Sequence, residues 1–237
     1  LAENTLFSSG TWIGRGEYAV CLDREQYAAG RIVTVPEDNP NAWPLVTCGR
    51  EVKNTEIRIV NPDTRLAEGE DEIGEIWLRG ACVAAGYWHK KKETEESLKA
   101  VLADTGEGDW LRTGDLGLID EEGNLFIKGR SKNMILGPSG QNIYPEEIED
   151  HLNNLPYVCE SIVVEKEGKL TALIYPDFEA INADNKNSDE AIAAIMEENR
   201  KQINETLPAY SQIAKVTIYN EEFEKTPKKS IKRFLYQ

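Results

Sequence analysis

The alternation of apolar and polar positions is weak over the first fifty residues and strong thereafter. Gly10, Gly14, Gly16 and Gly30 punctuate the opening, and VPEDNPNAWP (35–44) sets three prolines among acidic and amide residues, a chemistry that predicts turns and irregular loop. From Thr55 the pattern tightens. TEIRIV alternates as a half-buried strand does, NPDTRLAEGE supplies a turn, and GEIWLRG reads as the returning strand of a hairpin. KKKETEESLKAVL (90–102) places Leu98, Val101 and Leu102 behind a charged front, which predicts a surface helix opened by its acidic residues and closed by the turn tract DTGEGD. WLRTGDLGLIDEEGNLFIKGR (110–130) then gives two short strands around the turn IDEEGN.

Beyond this point the composition shifts. A loop rich in Gly, Pro and Ser (LGPSGQN) leads into PEEIEDHLNNL, a predicted helix with Pro145 in its first turn and acidic residues at the positive end of its dipole. Strands SIVVE and KLTALIYP follow around the turn KEGK. A helix over about 188–206 carries Ile192, Ile195, Met196, Ile203 and Leu207 on one face, and the strand VTIY precedes a basic tail, TPKKSIKRFLYQ. The change near Gly129–Lys132 is the natural hinge, dividing the chain into residues 1–128 and an α+β unit over 129–237. The expected fold class is mixed, α/β and α+β, with a β-rich part followed by the smaller unit.

Charge narrows the partners. The 237 residues hold 42 Asp+Glu against 27 Lys+Arg, a net charge of −15, so nucleic acid and anionic membrane are repelled except where cations gather. There is no run of 18 apolar residues, and LAENTLFSSG has neither a basic region nor an apolar core, so no integral membrane segment is expected and the chain reads as cytoplasmic. Without an initiator Met it reads as a fragment or processed chain. Cys21, Cys48, Cys82 and Cys159 form no C-x-x-C pair and are expected to be reduced and mostly buried.

Three strings carry candidate chemistry. In WLRTGDLG, a glycine before Asp115 at a strand end allows close backbone approach while the carboxylate projects from a turn, where it can accept both hydroxyls of a vicinal diol such as a nucleotide ribose. The same string suits a plain Asx-turn. Arg130, fifteen residues on, can bring its guanidinium fork to the same ligand. LGPSGQNIYPEEIE, with Gly137 and Gly140, is either a ligand-approaching loop opening a helix or an ordinary β–α connection. The tail gathers Lys225, Lys228, Lys229, Lys232 and Arg233 within nine residues, either to neutralise developing phosphate or carboxylate charge or as a solvated terminus. Glu3 is a possible metal ligand, and neither His89 nor His151 has a visible nucleophile partner.

In order, these strings resemble the adenylate-forming superfamily of acyl-CoA synthetases, fatty acyl-AMP ligases and related enzymes, over nearly the whole chain. LAENTL looks like the end of its Tyr-Gly-x-Thr-Glu motif, GEIWLRGACVAAGYW its strand motif, WLRTGDLG its ribose motif and FIKGRSKNMILGPSGQNIYPEEIE its hinge. The resemblance implies that residues 1–128 are the C-terminal β-rich part of the large AMP-binding domain and 129–237 the small mobile domain. It further implies Asp115 and Arg130 as ribose contacts, Lys132 as the hinge, Glu3 as the Mg2+-associated carboxylate and Ser139-Gly140 on a loop lining the thiol-acceptor tunnel. The implied activity uses ATP and Mg2+ to form acyl-AMP from a fatty acid, then passes the acyl group to a phosphopantetheine thiol. An acyl carrier protein is favoured over CoA, because Ala2 and ADTGEGDWLRTGD resemble the AMP-ligase branch, while KGRSKNMILGPSGQNIYPEEIE looks more like a long-chain acyl-CoA ligase. The family's adenylation Lys usually stands four residues after a Thr. Counting from Thr226 gives Ser230, so Lys229, with Lys228 beside it, is the expected substitute, and a non-catalytic binding module is the third reading. The family's phosphate loop and acyl pocket fall outside these residues, so the fragment alone is expected not to turn over.

Overall fold

Alternation and apolar runs along the chain are converted into two units, Leu1–Lys132 and Asn133–Gln237, in a computed structural model. The structure describes residues 2–5, 7–11, 19–28, 33–70, 72–137, 140–227 and 229–237.

In the first unit, Ser9–Gly10 (β1), Ala19–Asp23 (β2), the short helix Arg24–Ala28 (α1), Ala42–Val46 (β3) and Arg50–Glu51 (β4) come first. β1 pairs with β4 and β2 with β3, both antiparallel. The stretch expected to be irregular therefore contains a two-stranded ribbon. Its strands exist because Leu22, Tyr27 and Trp43 bury against Leu118 and Phe126, a tertiary gain that outweighs the Pro and Gly punctuation of the local sequence. Pro44 sits in this ribbon opposite Cys21, where the sheet is only two strands wide.

Thr55–Val60 (β5), Gly74–Gly80 (β6), the helix Lys91–Leu98 (α2), Leu111–Ile119 (β7) and Leu125–Arg130 (β8) follow, and the four strands form an antiparallel meander in sequence order. Ile57, Ile59, Ile76, Leu78, Leu111 and Leu125 cluster with Leu98 of α2, while Leu118 and Phe126 meet the ribbon. α2 is shorter than its sequence pattern predicts. It stops at Leu98 because Ala100 leaves the helix to bridge with Trp110, which exposes Val101 while Leu98 and Leu102 stay buried. Its charged front is laced by Lys91–Glu95 and Lys92–Glu96 pairs, both at 3.8 Å. The thiols also differ from expectation: all four are free, but Cys82 and Cys159 are exposed and Cys21 and Cys48 half-buried.

The second unit opens with Ile135–Leu136 (β9) and Asn142–Ile143 (β10), a two-stranded hairpin, and the helix Pro145–Asn153 (α3). Val158–Lys166 (β11), Lys169–Pro176 (β12), the helices Phe178–Ala183 (α4) and Asp189–Thr206 (α5), and Lys215–Ile218 (β13) complete it. β11 and β12 are antiparallel, and β13 joins β12 in parallel after the helical crossover. Ser188 caps α5, its Oγ accepting the Ala191 N–H at 3.2 Å. One sheet face packs Val163, Ala172 and Ile174 against Ile148 and Leu152 of α3 and Ile192, Met196 and Ile203 of α5.

The other face is covered by the C-terminal segment. Phe223 buries against Ile162, Val164 and Leu173, joined by Tyr219, Ile231 and Tyr236, and Lys225 bridges to Ile231 to close a small hairpin. The basic tail is thus neither loose nor uniformly cationic. Lys225 Nζ lies 2.6 Å from Glu160, Lys232 Nζ 3.0 Å from Glu224, and Arg233 pairs with buried Glu149 on α3. Among the described residues no helix is long and apolar enough to cross a membrane.

Candidate functional site

The β6–β7 ladder is interrupted at the string that the sequence singles out. Trp77 pairs with Arg112 and Glu75 with Leu116, so Ile76 alone opposes Thr113, Gly114 and Asp115. A bulge of this kind needs a residue that tolerates the left-handed region, and Gly114 supplies it at φ 74°. Thr113 ties the bulge together: its hydroxyl donates to Ile76 C=O at 2.7 Å and accepts the Asp115 N–H at 3.0 Å. On the other side Asp115 pairs directly with Arg130 of β8, and Arg130 Nε stands 2.7 Å from Asp115 Oδ1. The structure therefore brings these two predicted residues together. A carboxylate and a half-exposed guanidinium at a sheet edge form a compact polar pair that can meet a diol and a neighbouring oxygen.

Glu3 lies in a 3-10 turn, Ala2–Asn4, pinned to the loop after β6. Its C=O accepts the Ala84 N–H at 2.7 Å and its Oε1 accepts the Tyr87 hydroxyl at 3.3 Å. Burial, and then the charge of Glu3, push the Tyr87 phenol up from its ordinary range, so it remains a donor. Thr5 holds a left-handed φ of 58°, uncommon for a β-branched residue, and its hydroxyl donates to Cys82 C=O at 2.8 Å. Asn4 is fully buried and donates to Phe7 C=O and Ser8 Oγ, each at 2.9 Å. No group of three or more His, Cys, Asp or Glu able to hold a metal exists among the described residues. A single oxygen donor on a pinned backbone does fit Mg2+, which takes one or two carboxylates and completes its octahedron with phosphates and water.

In the second unit Gly140 has φ 82° and is exposed, in the turn joining β9 to β10, where its N–H donates to Gly137 C=O at 2.9 Å. Lys229 is exposed at the tip of the C-terminal hairpin, with φ 62° and its N–H donating to Thr226 C=O at 2.8 Å. Thr226 N–H donates in turn to Ser230 C=O at 2.8 Å. Lys229 thus occupies the left-handed position of a tight turn, where glycine is the usual residue. Lys132 is the last residue of the first unit, in the 3-10 turn Ser131–Asn133. Lys228 and Ser139 lie outside the described residues.

Sequence reasoning passed over Glu75, Arg112 and Tyr87. Glu75 is 3 % exposed, yet its Oε2 accepts from Arg112 Nε at 2.9 Å and from the Trp77 indole at 3.0 Å. The available signal was a carboxylate inside the apolar strand GEIWLRG, two residues from a tryptophan.

Two family models match this chain: AMP-binding enzyme over residues 27–88, and AMP-binding enzyme C-terminal domain over residues 132–236. The chain belongs to the AMP-binding enzyme family. Among curated relatives of this adenylate-forming family, it is 36 % identical over 181 residues to the 4-hydroxyphenylalkanoate adenylyltransferase of Mycobacterium tuberculosis, covering 75 % of this chain and 27 % of that protein. It is 39 % identical over 151 residues to the medium-chain-fatty-acid–[acyl-carrier-protein] ligase JamA of Moorena producens, covering 63 % and 25 %. The chain thus spans about a quarter of the length of these relatives. A solved structure from work on the fatty acyl-adenylate ligases of E. coli and L. pneumophila shares the fold, with TM-score 0.75 at 24 % identity, over 98 % of this chain and 39 % of that one.

Proposed function

We propose that these residues serve an ATP-dependent ligase that activates a fatty acid as acyl-AMP and delivers the acyl group to a phosphopantetheine thiol, on a carrier protein in preference to CoA. The observation that carries this reading is the Asp115–Arg130 pair at the β7 bulge, a diol acceptor with its cation 2.7 Å away. The relative JamA, named for a medium-chain fatty acid and an acyl carrier protein, supports the substrate and acceptor. A CoA acceptor is the second reading, favoured by the likeness of residues 128–149 to acyl-CoA ligases.

In this scheme a substrate carboxylate oxygen attacks the α-phosphorus of ATP, forming a P–O bond as pyrophosphate leaves. The thiolate sulfur then attacks the acyl carbon and AMP departs. Asp115 and Arg130 fix the ribose, Glu3 helps hold Mg2+, which when bound offsets phosphate charge, and Lys229 brings its ammonium to the charge that develops on transfer. Gly140 lines the thiol approach with its exposed turn, and Lys132 is the hinge about which the 129–237 domain turns relative to 1–128.

The test is acyl-hydroxamate trapping by the natural protein with ATP and a panel of fatty acids. Product that depends on ATP supports the reading, and consumption of the adenylate by carrier protein or CoA assigns the acceptor. No trapping and no pyrophosphate exchange with any acid would leave the non-catalytic alternative. Lys229 has its own test because its two roles have opposite signs. Lys229→Gly is expected to relieve the left-handed backbone and stabilise the hairpin by about 0.5–1 kcal/mol, while slowing exchange by roughly 10²–10³-fold. Adding Ser230→Lys should restore exchange; unchanged exchange in Lys229→Gly alone removes Lys229 from the reaction.

A further inference from the structure

We propose that Glu75 is a positioning residue for the ribose acceptor: it fixes the backbone of the β7 bulge and so sets where the Asp115 carboxylate stands. The inference rests on the reading of Asp115 and Arg130 as nucleotide contacts.

A bulge that sets three residues against one strands backbone amides without ladder carbonyls. Two of those amides find side-chain acceptors: Asp115 N–H donates to Thr113 Oγ1, and Gly114 N–H donates to Glu75 Oε1 at 3.1 Å. The second carboxylate oxygen, Oε2, takes the Trp77 indole at 3.0 Å and Arg112, whose Nη2 lies 2.7 Å away. A carboxylate buried to 3 % exposure is costly unless paired and fully hydrogen-bonded, and here both conditions are met. A neutral side chain could not satisfy the same set, because four donors converge on its two oxygens: the Gly114 amide, the indole and two guanidinium nitrogens.

The geometry makes the bulge rigid from beneath while leaving its outer edge to the ligand. Arg112 also lies over the Trp77 ring, 5.7 Å from its centroid, so the guanidinium that neutralises Glu75 is itself held. Gly114 has no Cβ and sits at φ 74°, so its own side chain adds no restraint. The Thr113–Gly114 peptide is held by its N–H on Glu75 Oε1 at 3.1 Å and, at the limit of hydrogen-bond length, by its C=O on Arg130 Nη1 at 3.5 Å, so Glu75 supplies the shorter of its two contacts. A shift of this peptide moves Asp115, its neighbour, relative to Arg130 across the β7–β8 pair.

The experiment compares binding of AMP and 2′-deoxy-AMP by calorimetry, using the natural protein and its Asp115→Ala, Glu75→Gln and doubly substituted forms. Wild type should prefer AMP, and Asp115→Ala should abolish the preference. Glu75→Gln should cut the AMP preference by about tenfold with 2′-deoxy-AMP binding much less affected, and should add nothing in the Asp115→Ala background. An unchanged preference in Glu75→Gln, or equal loss for both nucleotides, overturns the proposal and leaves the ribose reading standing. No preference in wild type overturns both. Amide exchange of wild type guards against a variant that folds badly: Gly114 N–H should be protected like a ladder amide, and fast exchange there also overturns the proposal.

Discussion

Replacing Arg233 with leucine is expected to destabilise the second unit by about 3–5 kcal/mol. Arg233 pairs with Glu149 of α3, and its Nη1 donates to Val163 C=O of β11 at 3.3 Å, while Glu149 Oε1 accepts the Val163 N–H at 2.6 Å. One buried carboxylate thus ties the helix, the sheet and the C-terminal segment to a single strand residue. Leucine keeps apolar bulk but leaves that carboxylate without its cation. Urea unfolding followed by far-UV ellipticity, with amide exchange at Val163, reads the loss. All five tryptophans fall within residues 1–132, so their emission provides an internal comparison from the first unit. A loss below about 1 kcal/mol would mean that the pair is a marginal surface bridge. Replacing both partners with methionine should recover only part of the stability: no charge then remains to desolvate, but the buried Val163 N–H and C=O lose their side-chain partners.

The same pair gives a pH dependence with a definite sign. Burial pushes Glu149 up to about 7 from an ordinary 4.5, against the opposing pull of Arg233 and the Val163 N–H. Between those values the native state binds the extra proton. The stability from this group is therefore fully present below about pH 4.5 and is lost as pH rises through about 7. Arg233→Leu removes the main opposing pull, so its deficit should be larger at pH 8 than at pH 5. Equal deficits at the two pH values would show that Glu149 does not titrate in this range.

What was legible in the sequence follows from how local each signal is. β5, β6, β7, β8, β11, β12 and α5 carry their own period, and turns such as IDEEGN and KEGK mark their ends, so propensity and packing agree. The β2–β3 ribbon was hidden because its reason to exist is Leu118 and Phe126, about a hundred residues downstream. The C-terminal segment was read as a charge run, yet its apolar members, Phe223, Ile231 and Tyr236, are spaced to cover a sheet face that no local pattern reveals. At the site, Asp115 stood out because a glycine before an Asp at a strand end lets a carboxylate project where a ligand can approach, although a plain Asx-turn explains the same string equally well. Arg130 could be placed beside it once the two strands were taken as a hairpin. Glu75 could not, since its partners depend on a bulge register that shows only when the strands are paired.

Asp115→Ala is expected to weaken nucleotide binding by about 10²-fold, since it removes two charge-assisted hydrogen bonds at roughly 1.5–3 kcal/mol each and partial compensation by water is available at this half-buried edge. The substitution also leaves Arg130 without its 2.7 Å partner. Asp115→Asn separates the contributions: it keeps one acceptor oxygen near the Arg130 guanidinium but turns the other position into a donor, which one ribose hydroxyl can still meet by accepting. Its loss should therefore fall between those of wild type and alanine. Pyrophosphate exchange across an ATP titration adds a second axis, because losing a residue that binds the ribose equally in ground and transition states raises KM for ATP and leaves kcat nearly unchanged. If Asp115→Ala instead lowers kcat at unchanged KM, the carboxylate acts on the reacting centre and the ribose assignment fails. If neither parameter moves beyond a factor of about two to three, well below the loss expected for one such bond, Asp115 is only the Asx-turn that its sequence also allows.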